Sequence, residues 1–222
     1  MGDSNQLAFI KENARLVKGP ILEVGSKDYG NTPDYRRIFP SETYVGIDRF
    51  PGKGVDVVFD ISKNYEEIIS KLKMSTFNAI ICFSVLEHAL ELGKVCSNIE
   101  RLLGEDGLLL VSVPFCWEYH GFPDDYWRFT PQAIKALFSN IRFIDSLTRM
   151  STSRVGEMKE PDNEFYKLDL SARVGIAKKR YGICTGVAVK LLRSIPIFKR
   201  AFDYPYLMPP VLITMAGTKK ST

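Results

Sequence analysis

His88 and His120 are the only two histidines in the 222-residue chain, and each follows an apolar run of the kind that forms a buried strand. Imidazole changes charge between about pH 5 and 8, which suits it to taking a proton from a hydroxyl near neutrality. His120 lies in Val113-Pro114-Phe115-Cys116-Trp117-Glu118-Tyr119-His120-Gly121-Phe122-Pro123-Asp124-Asp125-Tyr126-Trp127-Arg128-Phe129-Thr130-Pro131, a segment dense in aromatic rings. Aromatic faces suit the apolar faces of sugar rings or stacked planar groups, and carboxylates and guanidinium suit hydroxyls and anions. One reading makes His120 a general base, with Asp124 or Asp125 orienting or replacing it and Trp117, Tyr126 and Arg128 holding an acceptor. The other makes the rings a packed lid and Asp125 to Arg128 an ion-paired turn. His88 either touches a bound ligand or caps a helix start.

A second constellation, Ile21-Leu22-Glu23-Val24-Gly25-Ser26-Lys27-Asp28-Tyr29-Gly30, reads as a strand entering a glycine-bearing turn. Such a turn lets backbone approach a charged ligand and aims N–H groups at it. The dinucleotide fingerprint GxGxxG would need glycine at Glu23 and Asp28 in one register or at Lys27 in the other, which disfavours a nicotinamide or flavin dinucleotide. Asp48 ends the next apolar run, where a carboxylate can accept from two ribose hydroxyls. Asp60 ends the one after. There it can take a hydrogen bond from an adenine amino group while the backbone N–H of Ile61 reaches a ring nitrogen. Taken singly, Gly25 and Gly30 could be turn glycines, and the two acids helix caps or solvated loop residues.

These groups need a frame. Apolar, β-branched runs alternate with helical patterns through the first two thirds of the chain, the mark of βαβ units and a largely parallel sheet. The pattern predicts a helix over 5–17 and strands at 20–25, 43–48, 55–59 and 77–83. Helices are expected over 65–72 and 86–103, with a turn at 104–107. A fifth strand at 108–114 then leads to a helix from Pro131 to about Phe138, capped by Thr130, and a sixth strand near 141–148. Residues 210–217 form the last strand. The 150–208 segment is too long for an ordinary connection and reads as an insertion within one domain spanning 1–222. It begins as an acidic loop with a short helix over 157–169 and continues into a basic amphipathic helix over 186–194.

Composition narrows the class. With 45% hydrophobic and 25% charged residues the chain matches a folded globular domain. Four scattered cysteines without a CxxC pair suggest a reducing, cytoplasmic setting and no bound metal. No signal sequence or membrane span is read. Residues 171–202 hold eight Lys or Arg and no Asp or Glu, within a net charge of only +4. That stretch either lies peripherally on anionic headgroups or packs on the domain with its charges solvated. No nucleic-acid-binding module accompanies it. The sequence sets no oligomeric state.

In their order, ExGxxxxG from Glu23 to Gly30, the acid Asp48, Asp60-Ile61 and Ser84-Val85-Leu86-Glu87-His88 resemble the class I S-adenosylmethionine-dependent methyltransferases, over about residues 15–135. The His120 segment, HxxPxDYWRFT, resembles that of methyltransferases associated with surface-glycan assembly. The resemblance implies a Rossmann-like, doubly wound α/β sheet of seven strands in the order 3-2-1-4-5-7-6, with the last strand antiparallel. It implies S-adenosyl-L-methionine as cofactor. Glu23 and Gly25 would line its methionine end with His88 nearby, and the Phe83 carbonyl would meet the methionine amine. Asp48 would hold ribose, Asp60 and Ile61 would read adenine, and Gly30 would pack the following helix closely. The activity implied is O-methylation of a sugar hydroxyl in a surface glycan or its precursor. A lipid or small metabolite is the alternative acceptor, and a non-catalytic cofactor- or partner-binding subunit the alternative class. Neither the Asp/Asn-Pro-Pro-Tyr segment used on base amines nor a metal-binding carboxylate cluster is present.

Overall fold

Strand alternation builds the frame of the site. In a computed structural model of the chain, describing residues 4–30, 32–121, 123–152, 156–161, 168–169, 206–207 and 211–221, β1 (Ile21–Val24) lies parallel between β2 (Tyr44–Asp48) and β4 (Phe77–Phe83). The short β3 (Val57–Val58) extends one side, and β5 (Leu103–Cys116) the other. β11 (Val211–Lys219) then runs antiparallel to β5, and against it lie β6 (Ile141–Phe143) and β7 (Arg149–Ser151), with β8 (Met158–Lys159) outermost. The resulting order, β3-β2-β1-β4-β5-β11-β7-β8 with β6 also on β11, is the expected α/β arrangement, its sixth strand divided into β6 and β7.

Side chains alternate across the strands. Ile21, Ala79, Ile81, Phe83, Leu108, Leu110 and Ala216 pack in one cluster with Phe9 and Ile10 of α1 (Ser4–Asn13) and with Tyr35 and Phe39. Ile80, Cys82, Leu109 and Val111, equally buried, point to the opposite face. The right-handed crossover rule puts α2 (Tyr65–Leu72) and α3 (Leu92–Leu102) on that face. Leu92, Val95, Cys96, Ile99 and Leu102 make the buried stripe of α3. α4 (Pro131–Leu137) starts as expected, with Pro131 in its first turn and the Thr130 hydroxyl accepting from the Ala133 N–H at 3.1 Å. Cys82, Cys96 and Cys116 form no disulfide.

The elements depart from the sequence reading at several places. The leading helix ends at Asn13 and tightens into a 3-10 turn, Ala14–Leu16. The expected 86–103 helix is a 3-10 turn, Leu86–His88, followed by a break before α3. The carbonyls of Glu87 and Ala89, which would bond up the helix, instead accept N–H groups from Tyr126 and Trp127. The turn expected at 104–107 is a bulge inside β5, where Asp106 has φ +57° and pairing jumps from Phe77↔Leu103 to Ala79↔Leu108. Within 157–169 the regular structure among the described residues is strand, at 158–159 and 168–169, and not helix. Met158 and Lys159 pair with β7, and Pro161 disfavours helix at the residue before it. Residues 161–209 form a second compact unit, in which β9 (Leu168–Asp169) pairs antiparallel with β10 (Tyr206–Leu207). The amphipathic helix over 186–194 and the basic stretch 171–202 lie outside the described residues. No helix among the described residues is long and apolar enough to cross a membrane.

A buried polar chain joins α1 to the strand ends beside the site. Gln6 donates from Nε2 to Ser84 Oγ at 3.0 Å and Ser112 Oγ at 2.9 Å, and Ser112 Oγ lies 2.9 Å from Thr214 Oγ1. Gln6→Leu strands these hydroxyls without their donor, so we expect a stability loss of about 1–3 kcal/mol, measured by denaturant unfolding. An unchanged midpoint and slope would remove that role.

Candidate active site

The turn after β1 is locked against its neighbours at glycines. Gly25 has φ +79°, and a Cβ there would lie 2.3 Å from Val85 Cγ2, so the loops after β1 and β4 touch at this point. The N–H groups of Gly25 and Ser26 both donate to the Ile47 carbonyl, at 2.8 and 3.0 Å. On the other side a Cβ on Gly46 would lie 2.4 Å from the Gly54 carbonyl oxygen. The chain therefore crosses the end of β2 rather than entering a helix, and among the described residues the segment before β2 holds only a 3-10 turn, Tyr35–Ile38. Gly30 is corrected accordingly. It has φ +100° and its N–H donates to Asp28 Oδ1 at 2.7 Å, but a Cβ on it would meet nothing within 4 Å, and it packs on no helix. Its glycine requirement comes from the backbone angle.

Beside this turn is a cavity of about 400 Å³ lined by Glu23, Gly25, Asp48, Asp60, Ile61, Phe83 and His88. These residues come from the C-terminal ends of four adjacent parallel strands, the usual ligand side of such a sheet. Asp48 is held by the N–H of Phe50 at 2.9 Å and that of Lys27 at 3.3 Å. Asp60 accepts from the Ser62 N–H at 2.9 Å and faces Arg49 Nε at 3.3 Å. The Ile61 segment is fixed from behind by Asn98, whose amide donates to the carbonyls of Ile61 and Lys63 at 2.8 and 2.9 Å. Glu23 is buried and accepts from the Tyr44 hydroxyl at 2.8 Å. Burial raises its pKa to about 7 despite that bond. Sequence reading missed Arg49, Tyr29 and Phe50, which also line the cavity. Their signal was a cation and an aromatic directly after the Asp48 strand end and a tyrosine in the glycine turn.

The His120 segment is tied down over the loop after β4. The N–H groups of Tyr126 and Trp127 donate to the Glu87 carbonyl at 2.7 and 3.3 Å, and the Trp127 indole donates to the Ala89 carbonyl at 2.8 Å. This docking brings His120 to His88, ring centroids 5.1 Å apart and edge to face. His88 Nδ1 lies 2.6 Å from the Asp124 carbonyl oxygen, and burial lowers its pKa. His120 Nδ1 lies 3.1 Å from the Glu118 carbonyl and 3.3 Å from Asp125 Oδ2.

Arg128 is engaged within its own loop. Its five N–H groups are all engaged: Nε with the Trp117 carbonyl, Nη1 with Asp125 Oδ1 at 2.6 Å and the Trp127 carbonyl, and Nη2 with Asp125 Oδ2 at 2.7 Å and the Glu118 carbonyl. The same pairing holds the Asp125 carboxyl far below the usual carboxylate range, which makes it a weak base. It orients His120, also accepting its backbone N–H at 2.9 Å. Asp124 is exposed and accepts from the Tyr126 hydroxyl, which raises the phenol's pKa. Trp117 contributes its carbonyl to the Arg128 staple. Of the acceptor candidates none lines the cavity itself; His88 does, and His120 reaches it through His88. Sequence reading also missed Glu87. Its side chain is only 1% exposed and its pKa is raised to about 8 by burial.

No family model matches the sequence, and no curated protein matches it. Solved structures do match its fold. A putative methyltransferase from Bacillus halodurans superposes with a TM-score of 0.56 at 13% identity, covering 98% of this chain and 100% of that one. The Burkholderia thailandensis 1,6-didemethyltoxoflavin-N1-methyltransferase, bound to 1,6-didemethyltoxoflavin and S-adenosylhomocysteine, gives 0.55 at 11% identity over 98% and 79%. The [4+2]-cyclase SpnF gives 0.54 at 16% over 98% and 81%. At these identities the likeness establishes the Rossmann-like fold, and the cyclase shows that the fold alone does not decide the reaction.

Glu23 supplies a pH test. A carboxyl whose folded pKa exceeds its unfolded one contributes stability that is full below the ordinary Glu range and is lost as pH rises through about 7. Glu23→Gln should flatten the stability–pH curve over that window while leaving the later fall contributed by Glu87, which extends through about 8. Denaturant melts across this range test it; identical slopes in the two proteins would refute the buried neutral carboxyl.

Proposed function

We propose that the chain is an S-adenosyl-L-methionine-dependent O-methyltransferase whose acceptor is a sugar hydroxyl of a surface glycan or its precursor. The supporting observation is the cavity into which Glu23, Gly25, Asp48, Asp60, Ile61 and Phe83 converge in strand order. Cofactor fit is supported by the cradle at Gly25, where a Cβ would collide with Val85. Two oriented acids, Asp48 and Asp60, offer acceptors to ribose hydroxyls and an amino group, with the Asp48 carboxylate fixed by backbone amides. The bound cofactor supplies a methyl group on a sulfonium, open to in-line displacement.

The chain's own residues then position an acceptor and take its proton. With Nδ1 of His120 facing the Glu118 carbonyl and Asp125, the ring proton belongs on Nδ1, and Nε2 carries the lone pair. Nε2 is the base in this reading, accepting the hydroxyl proton as oxygen attacks the methyl carbon. Exposed Tyr119, Tyr126 and Trp127 offer ring faces of the kind that pack on sugars. The same surface would take an apolar small molecule or lipid, which is the second acceptor reading.

Isothermal titration should show binding of S-adenosylmethionine and its demethylated product. Asp48→Ala should weaken both at least about tenfold, the loss of one good hydrogen-bonded contact. His120→Ala should keep cofactor affinity and lose turnover. Methyl transfer from labelled cofactor into separated glycan and lipid fractions of the source cell identifies the acceptor class. Absence of binding by either cofactor form overturns the enzyme reading, and label confined to lipid overturns the glycan.

A further inference from the structure

The structure assigns a divalent-cation site to Glu87, His88 and His120, at the edge of the cavity. One ligand atom from each residue lies within 4.8 Å of the others. Three further observations point to a cation there. Glu87 Oε2 is buried and accepts no hydrogen bond among the described residues, and a buried carboxylate oxygen left unpaired is costly enough to require a counter-charge or a proton. Glu87 Oε1 faces His88 Nε2 at 3.9 Å. The outer side of each imidazole is already fixed: His88 Nδ1 at the Asp124 carbonyl, and His120 Nδ1 at the Glu118 carbonyl and Asp125. A metal-ligating histidine characteristically gives its other ring N–H to a carbonyl or carboxylate, which sets the tautomer and aims the lone pair.

Two imidazoles and one carboxylate favour a borderline transition metal such as Zn²⁺, Fe²⁺ or Co²⁺ over Mg²⁺ or Ca²⁺, which prefer all-oxygen shells. Bonds of about 2.0–2.2 Å bring ligand atoms to roughly 3 Å from one another. The three side chains would therefore draw together by an ångström or more on binding. The site lies at the junction of the two docked loops. Its third ligand, His120, is held by the Asp125–Arg128 pair, so its geometry is set by a residue that does not itself touch the ion.

The role of the ion rests on the methyl-transfer reading. A cation at this point holds the acceptor oxygen and lowers the pKa of its hydroxyl. The O–H bond then breaks to release the proton to water, the C–O bond forms and the methyl–sulfur bond breaks. With the ion bound, His120 Nε2 is a ligand; without it, a base.

Chelator-treated full-length protein titrated with Co²⁺ alone, followed by visible absorption and calorimetry, tests the site. We expect one equivalent bound with a nitrogen–oxygen ligand spectrum. Glu87→Gln and, separately, His120→Asn should each weaken it at least tenfold, with S-adenosylhomocysteine affinity measured on the same samples to show that each variant is folded. Unchanged Co²⁺ affinity in either folded variant overturns the site, as does a thiolate-type spectrum abolished by Cys116→Ser. No Co²⁺ binding with intact S-adenosylhomocysteine binding removes the ion and leaves methyl transfer standing. Co²⁺ binding without S-adenosylhomocysteine binding keeps the site and removes its proposed role.

Discussion

The backbone carbonyl of Glu87 holds the candidate site together. It accepts from both Tyr126 and Trp127, and this is possible only because the helix that its neighbours could have formed stops before it forms. Breaking α3 away from the end of β4 frees the carbonyls of Glu87 and Ala89 to bind a segment nearly forty residues further on. Both histidines then arrive at one place without sharing an element. Arg128 completes the arrangement from within the second loop, tying residues 117–118 to 125 with four of its five N–H groups. A loop with few apolar anchors thus acquires a fixed shape by hydrogen bonding.

The cofactor side achieves rigidity differently. There the loops after β1, β2 and β4 meet where Gly25, Gly46 and Gly54 leave no room for a side chain, and the acids accept from backbone amides, Asp48 from Lys27 and Phe50 and Asp60 from Ser62. The cavity is a consequence of strand ends standing side by side. Its polar groups are oriented by backbone before any ligand enters, which keeps the ordering cost of binding low. Glu23 on β1 and Glu87 just after β4 are both buried carboxyls. Each owes its raised pKa to the loss of water around it.

Much of this was legible in the residues. Alternating apolar runs specify the strands and their faces, and the acids at Asp48 and Asp60 stand at strand ends because the runs before them are short and apolar. The Thr130-Pro131 helix start was equally readable, since a cap is a local device. What escaped reading depends on partners distant in the chain. The helix break at 89–91 is set by Tyr126 and Trp127, and the bulge at 104–107 by pairing to β4. Arg128 looked available for a ligand because nothing in its neighbourhood of sequence shows that three carbonyls and a carboxylate converge on it. Gly30 looked like a packing glycine because spacing cannot distinguish a close contact from a left-handed turn. Glu87 carries no site role in the sequence beyond its place in the SVLEH motif, because an acid beside a histidine shows neither its burial nor its missing partner.

The placement of β11 between β5 and the β6–β7 pair bears on how the chain is made. Synthesis proceeds from the N-terminus, so β3, β2, β1, β4 and β5 emerge in time to assemble while β11 is still unmade. Among the described residues β6 pairs only with β11, through Gly217↔Phe143 and the two pairs beyond it. The edge of β5 therefore stays open, and β6 waits unpaired, through the translation of the roughly fifty residues of the second compact unit, 161–209. Nascent chains stalled before residue 211 should expose an unsatisfied strand edge of the kind that chaperones recognise and neighbouring chains invade.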